Sequence, residues 1–129
     1  MPTGLTKDAG WQIGVSRTLP HPPAVVWEFI SGPEGLALWL GPGAELTPER
    51  GAPWRTADGT AGEVHGYRPG DRIRVTVGST TVQVALRPAG DGGRAMLRFH
   101  QERMASAAER ERQRAHWQRV LDAVAGALG

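Results

Sequence analysis

From Thr60 to Arg103 the sequence is a run of short alternating segments cut by glycine-bearing turns, a pattern that admits little besides an antiparallel meander. The segments are Thr60–Arg68, Arg72–Val77, Thr80–Arg87 and Arg94–Arg103. In the last three, apolar residues fall at every second position, the period of a half-buried strand. Pro69-Gly70, Gly78-Ser79 and Gly90-Asp91-Gly92-Gly93 separate them as turns. A two-residue turn at Gly78-Ser79 pairs Val77 with Thr80, Val75 with Val82 and Ile73 with Val84. A two-residue turn at Pro69-Gly70 sets Val64 beside Val75. Across the last hairpin, Val84 is expected beside Leu97 and Val82 beside Phe99. One face is then continuously apolar, and three turns agree on it. The other face carries His65, Arg74, Gln83 and Arg98 in one row and Glu63, Thr76, Thr81 and His100 in the next. A solvated outer face explains such rows, and an anion grip is the alternative.

The flanking segments read as one more long strand and three helices. Trp11 to Leu19 alternates, and Pro20, Pro22 and Pro23 stop it. Pro22 or Pro23 suits the first turn of a helix, which is expected over about 22–30 with Val25, Val26, Phe29 and Ile30 on its apolar side. Ser31 with Glu34 has capping-box spacing and predicts a second short helix running through Leu36 and Trp39 to just before Gly41. Ala44–Thr47 and Pro53–Thr56 are short strand candidates. Ser106 with Glu109 predicts the start of a long helix reaching Leu128, with Trp117, Leu121, Val124 and Leu128 as its apolar stripe. Residues 1–6 read as a tail and residues 7–129 as one domain.

Composition bounds the chemistry. At 129 residues a chain buries about 68% of its unfolded surface, enough for a core without staples. The absence of cysteine excludes disulfides, thiolate nucleophiles and cysteine metal sites. The calculated pI of 9.9 reflects arginine, which keeps its proton to high pH, rather than a large charge; the formal net charge is +2. Arginines alternate with acids, as in Glu109-Arg110-Glu111-Arg112, instead of forming the basic stripe of a nucleic-acid binder. No stretch approaches the length of a membrane span, and the first residues lack a basic-then-apolar leader, so a cytoplasmic protein is expected.

Motifs of the major catalytic classes are missing. There is no Gly-x-Ser-x-Gly elbow, no phosphate loop and no dinucleotide loop around Gly41-Pro42-Gly43. Histidines 21, 65, 100 and 116 have no helical partner for a metal, and His100 with Glu102 reads as an exposed pair near a strand end. No catalytic residue, metal or cofactor is expected. What stands out is tryptophan, at five positions. Trp39 and Trp54 lie where the mouth of a pocket forms, with core packing as the alternative.

A set of short matches runs in order along the chain. They are Lys7-Asp8-Ala9-Gly10-Trp11-Gln12-Ile13-Gly14-Val15, Trp27, Pro33-Glu34-Gly35, Leu38-Trp39-Leu40-Gly41, Asp58-Gly59-Thr60, Gly62-Glu63-Val64, Pro69-Gly70, Phe99-His100-Gln101-Glu102, His116-Trp117 and Val120-Leu121-Asp122. In that order and spacing the chain resembles the helix-grip, START-like (SRPBCC) superfamily. Within it the chain is most similar to the bacterial branch related to the activator of the ninety-kilodalton heat-shock ATPase. The resemblance implies an α+β helix-grip fold: a curved seven-stranded antiparallel sheet around the long terminal helix, two short helices after the first strand, and an internal apolar cavity. It also implies that residues 7–10 belong to the domain. Relatives have a longer, Trp-bearing connection where this chain has Gly78-Ser79, which would open one side of the cavity or shrink it.

The expected function is binding of a small hydrophobic or amphipathic molecule, with Arg17, Trp39, Trp54, Val75, Val82, Phe99 and Trp117 as ligand contacts. Arg17 shares the strand parity of Trp11, Ile13, Val15 and Leu19, and is expected to meet an anionic or carbonyl head inside the cavity. The alternative for Arg17 is a side chain that snorkels outward or pairs with an acid on a short helix. An enzyme of the polyketide cyclase or aromatase kind and a protein-binding stress-response module are the alternative functions, and a homodimer is an open option.

Overall fold

The computed structural model describes residues 5–6 and 10–129. The chain is α+β, an antiparallel sheet gripping a long C-terminal helix. Its elements are β1 (Leu5–Thr6), β2 (Gly10–Leu19), α1 (Pro23–Ser31), α2 (Pro33–Trp39), β3 (Pro53–Arg55), β4 (Ala61–Arg68), β5 (Arg72–Val77), β6 (Thr80–Ala89), β7 (Arg94–Met104) and α3 (Ala107–Leu128). The strands form one sheet in the order β1-β2-β7-β6-β5-β4-β3. Membership differs from the expectation at two points. Ala44–Thr47 is irregular, and Leu5–Thr6, expected in a tail, pairs with Gly10 and Trp11 at the sheet edge. Residues 7–9, assigned by resemblance to the domain, lie outside the described residues.

The β5–β6 register is the one that the Gly78-Ser79 turn dictates: Val77 opposite Thr80, Val75 opposite Val82, Ile73 opposite Val84. Val64 does face Val75, but by a different route. The β4–β5 turn spans three residues, so Arg68 faces Arg72, and a bulge at His65 then restores the offset. Across β6–β7 the expected register is two residues out. The four residues 90–93 close on an Ala89–Arg94 pair, which places Val84 beside Phe99 and Leu86 beside Leu97. A shift of two keeps every side chain on its face, so the apolar layer survives while the outer rows change partners. Arg74, Gln83 and His100 now form one row, and Thr76, Thr81 and Glu102 the next.

The helices pack as their apolar spacing requires. α1 starts on Pro23 after an extended Pro22 and buries Val26 and Ile30, while Val25 points to solvent. The expected Ser31 cap does not form. The Ser31 hydroxyl donates to the Trp27 carbonyl at 2.6 Å, which makes it the last residue of α1, and Gly32 leads into α2. A Cβ on Gly35 would stand 2.1 Å from the Phe29 carbonyl oxygen, so only glycine lets α2 fold back this closely. The α3 cap forms as expected. Glu109 N–H donates to Ser106 Oγ at 3.1 Å, and the Glu109 carboxylate accepts from Ala105 N–H at 3.0 Å. α3 buries Trp117, Val120, Leu121 and Val124 against the sheet. No helix among the described residues is long and apolar enough to cross a membrane.

Candidate functional site

The space between the sheet and α3 is filled by aromatic rings. Phe99 stacks on Trp117 with centroids 4.8 Å apart and planes 14° apart, and Trp39 leans on the other side of the cluster, 5.9 Å from Phe99. Val75, Val84, Leu97 and Phe99 are fully buried. The opening lies at one end, as a recess of about 330 Å³. The last turn of α2 supplies Leu38, Trp39 and Leu40. α3 supplies Gln113, His116 and Trp117, and the β5–β6 hairpin supplies Val77 and Val82 beside the short Gly78-Ser79 turn. Gln101 of β7 and Asp58 of the β3–β4 turn complete it. Leu38, Leu40 and Val77 are only half-buried, so the recess offers apolar surface rather than a sealed core.

Its polar groups are built inward from Gln101. This side chain is on the apolar parity of β7, two residues beyond Phe99, and is buried. Its carbonyl oxygen accepts from Trp117 Nε1 at 2.8 Å and from Gln113 Nε2 at 2.8 Å. Its amide donates to Thr80 Oγ1 at 3.0 Å, and that hydroxyl donates to the Val77 carbonyl at 2.8 Å. The network ties the hairpin, β7 and α3 together and leaves no described buried side-chain polar atom without a partner. Trp39 Nε1 donates to the Ile30 carbonyl at 2.9 Å, so both indoles are anchored by their N–H and present ring edges and faces to the recess.

Two titratable groups share the recess. Burial, and then the Arg119 charge one turn along α3, push the His116 imidazole below its ordinary 6.5, so at neutral pH it is uncharged and can donate or accept. Asp58 is fully exposed. Hydrogen bonds from the Thr56 hydroxyl and the Thr60 N–H hold its carboxyl below the ordinary value. No group of histidines and acids among the described residues has the makings of a metal site.

Of the residues singled out from sequence, the structure brings Trp39, Val82 and Trp117 together at the recess. Val75 and Phe99 are sealed behind it. Trp54 is buried on β3, its Nε1 donating to the Thr76 carbonyl at 3.1 Å, and it borders a separate shallow groove with Gly43 and Glu45. Arg17 departs from expectation. It lies on β2 opposite Leu97, yet its side chain is 46% exposed and donates to Asp122 of α3 at 2.7 Å. α3 crosses β2 at the flank of the sheet, so a long side chain there reaches its rim and finds a carboxylate on the long helix. Gln101, Gln113, His116 and Asp58 were not anticipated. The parity of Gln101 and the i, i+4 spacing of Gln113 and Trp117 were the available signals.

The family model described as activator of Hsp90 ATPase homolog 1-like protein matches residues 20–129. No curated protein matches the sequence. Among solved structures, a Mesorhizobium loti protein superposes with a TM-score of 0.75 at 19% identity, over 91% of this chain and 96% of its own. A Chromobacterium violaceum protein gives 0.70 at 27% identity, over 90% and 95%. DynU16, a protein of the dynemicin biosynthetic locus, gives 0.73 at 23% identity; 91% of this chain is covered, but only 46% of DynU16. These likenesses bear on the fold.

Proposed function

Because the chain belongs to the activator of Hsp90 ATPase homolog 1-like family, we propose that it is a binding domain for a small amphipathic molecule seated in the recess between α2, α3 and the β5–β6 hairpin. One observation carries this reading: a solvent-open hollow with half-buried Leu38, Leu40 and Val77 around two anchored indoles and a hydrogen-bonding edge at Gln113, His116 and Asp58. Its volume is at the lower end of the range for ligand pockets, which fits one or two rings or a short acyl chain. The apolar body would lie against Trp39 and Trp117. The polar end would meet His116 and Gln113, since Gln101 is already committed inside the protein.

The test is titration with naphthoic acids and medium-chain fatty acids, read by tryptophan fluorescence and thermal melting. Saturable quenching with a raised melting temperature is expected, weakened by Leu38→Asn, which makes a half-buried part of the wall polar. Absence of saturable binding across the series, or binding indifferent to Leu38→Asn, overturns the reading.

A second reading, an enzyme of the polyketide cyclase or aromatase kind, is favoured by the uncharged His116 imidazole at the same recess. The biosynthetic setting of DynU16 points the same way. It requires turnover of a poly-β-ketone that His116→Gln abolishes.

A further inference from the structure

We propose that the recess between α2, α3 and the β5–β6 hairpin selects a cationic amphiphile: an arylalkyl ammonium whose nitrogen donates to Asp58 and Gln113 while its ring lies against Leu38 and Val77. The proposal rests on the reading of this recess as a ligand site and adds the sign of the charge that it takes. The polar inventory of the walls carries it. No lysine or arginine is among the lining residues, and Asp58 is the carboxylate there.

Most N–H donors of the walls are already engaged inside the protein. Trp39 Nε1 donates to the Ile30 carbonyl, Trp117 Nε1 and Gln113 Nε2 donate to Gln101 Oε1, and the Gln101 amide donates to Thr80 Oγ1. The backbone N–H groups of Leu40 and Gly41 both go to the Leu36 carbonyl. Beyond the second amide hydrogens and one ring N–H of His116, the side chains are left with acceptors. These are Gln113 Oε1, the bare ring nitrogen of His116 and the Asp58 carboxylate. The hydrogen bonds within the β3–β4 turn end on Asp58 Oδ1, so Oδ2 keeps its lone pairs. A charged donor satisfies such a set, whereas a carboxylate head would meet a like charge at Asp58.

The turn that carries Asp58 is fastened to the end of α2. Ala57 N–H donates to the Pro42 carbonyl at 2.8 Å, and buried Thr56 packs on Gly41. A Cβ at Gly41 would stand 2.9 Å from Thr56 Cγ2, and the φ of +133° there favours glycine as well. Glycine thus permits the contact that brings the turn, and Asp58 with it, to the recess. Asp58 is exposed, so its attraction is that of a screened charge; it sets a preference among head groups rather than the whole affinity. The opposing charge is that of Arg119, which acts on His116 but is exposed and outside the lining.

The experiment is calorimetric titration of the full chain, at neutral pH and low salt, with naphthylmethylamine, naphthylmethanol and naphthoate, which share a ring and differ in the head. All three are expected to bind saturably and to lose affinity alike with Leu38→Asn, which places them in the recess. The amine is expected to bind tightest and naphthoate weakest, with about three- to fivefold between amine and alcohol, as a screened charge pair gives. Asp58→Asn keeps an acceptor for the Thr56 hydroxyl and the Thr60 N–H, so the turn is retained. It is expected to remove the advantage of the amine over the alcohol. Asp71→Asn deletes the same charge between β4 and β5, at the other end of β5 from the hairpin, and is expected to leave the order intact. Naphthoate binding as tightly as the amine, with all three still sensitive to Leu38→Asn, would keep the recess and overturn its charge preference. An amine advantage that survives Asp58→Asn, or falls equally with Asp71→Asn, overturns it too. No saturable binding by any of the three would remove the recess reading itself, and this proposal with it.

Discussion

Phe99 and Trp117 lie nearly parallel, 4.8 Å between centroids, and through this stack the interior strand β7 holds the middle of α3. Trp117 also donates its indole N–H to buried Gln101. Trp117→Ala removes ring packing and one of the two hydrogen bonds that the Gln101 carbonyl accepts, and is expected to cost about 3–5 kcal/mol. Trp117→Phe keeps most of the ring and loses the hydrogen bond, at about 1–3 kcal/mol. Urea unfolding measures both. A loss under about 1 kcal/mol for Trp117→Ala would mean that the ring does not hold the helix.

The Arg17–Asp122 pair is geometrically good and energetically minor. Its side chains are 46% and 74% exposed, so water screens them and ordering two side chains offsets the attraction. A double-mutant cycle with Arg17→Met and Asp122→Asn should give a coupling below about 1 kcal/mol. Arg17→Met should also leave naphthoate and fatty-acid binding unchanged, because Arg17 is absent from the recess lining. A large loss of affinity would return the anionic head group to Arg17.

The inward parity of β5 to β7 was legible because alternation survives every error of an even number of residues. The β6–β7 register was misplaced by two, and Val82, Val84, Leu97 and Phe99 still landed in the core. The Val64–Val75 contact came from a turn read one residue short and an unforeseen bulge at His65, which cancel. Such compensation depends on backbone conformation and leaves no periodic trace. The recess was harder to see. Trp39, Val82 and Trp117 announced themselves by size or parity, whereas Gln101 follows an apolar pattern that it chemically contradicts, and Asp58 arrives from a turn. Arg17 shows the limit of parity: it assigns a face, not the depth at which a long side chain ends.

Two half-buried histidines make stability rise with pH. Burial is the main cause that lowers both His116 and His100 below the ordinary 6.5. The unfolded chain therefore binds protons more readily than the folded one across the interval between the lowered values and 6.5, and acid favours unfolding. Unfolding free energy should climb with pH over that interval and level off above it. Replacing both histidines by Gln should flatten this segment, while the acid limb due to Asp58, whose pKa is lowered from 3.8, stays at more acid pH. A pH profile unaltered by the double substitution would contradict it.

Arg103 is the described non-glycine residue with a positive φ, at 66°. It sits where β7 carries one residue more than β2 between the Ile13–Gln101 and Trp11–Met104 pairs, a bulge position where glycine is the natural occupant. The Arg103 side chain is exposed, so little packing offsets the conformational cost, which is about 1–2 kcal/mol for an L-residue in this region. Glycine would relieve that cost and give back about 0.5–1 kcal/mol through the freer unfolded chain. Arg103→Gly should therefore leave stability unchanged or raise it by up to about 1 kcal/mol. Thr18→Gly, at an exposed position on β2 with ordinary strand backbone, provides the comparison and should destabilise by about 0.5–1 kcal/mol. Equal losses at the two positions, measured by urea unfolding, would show that Arg103 carries no backbone strain.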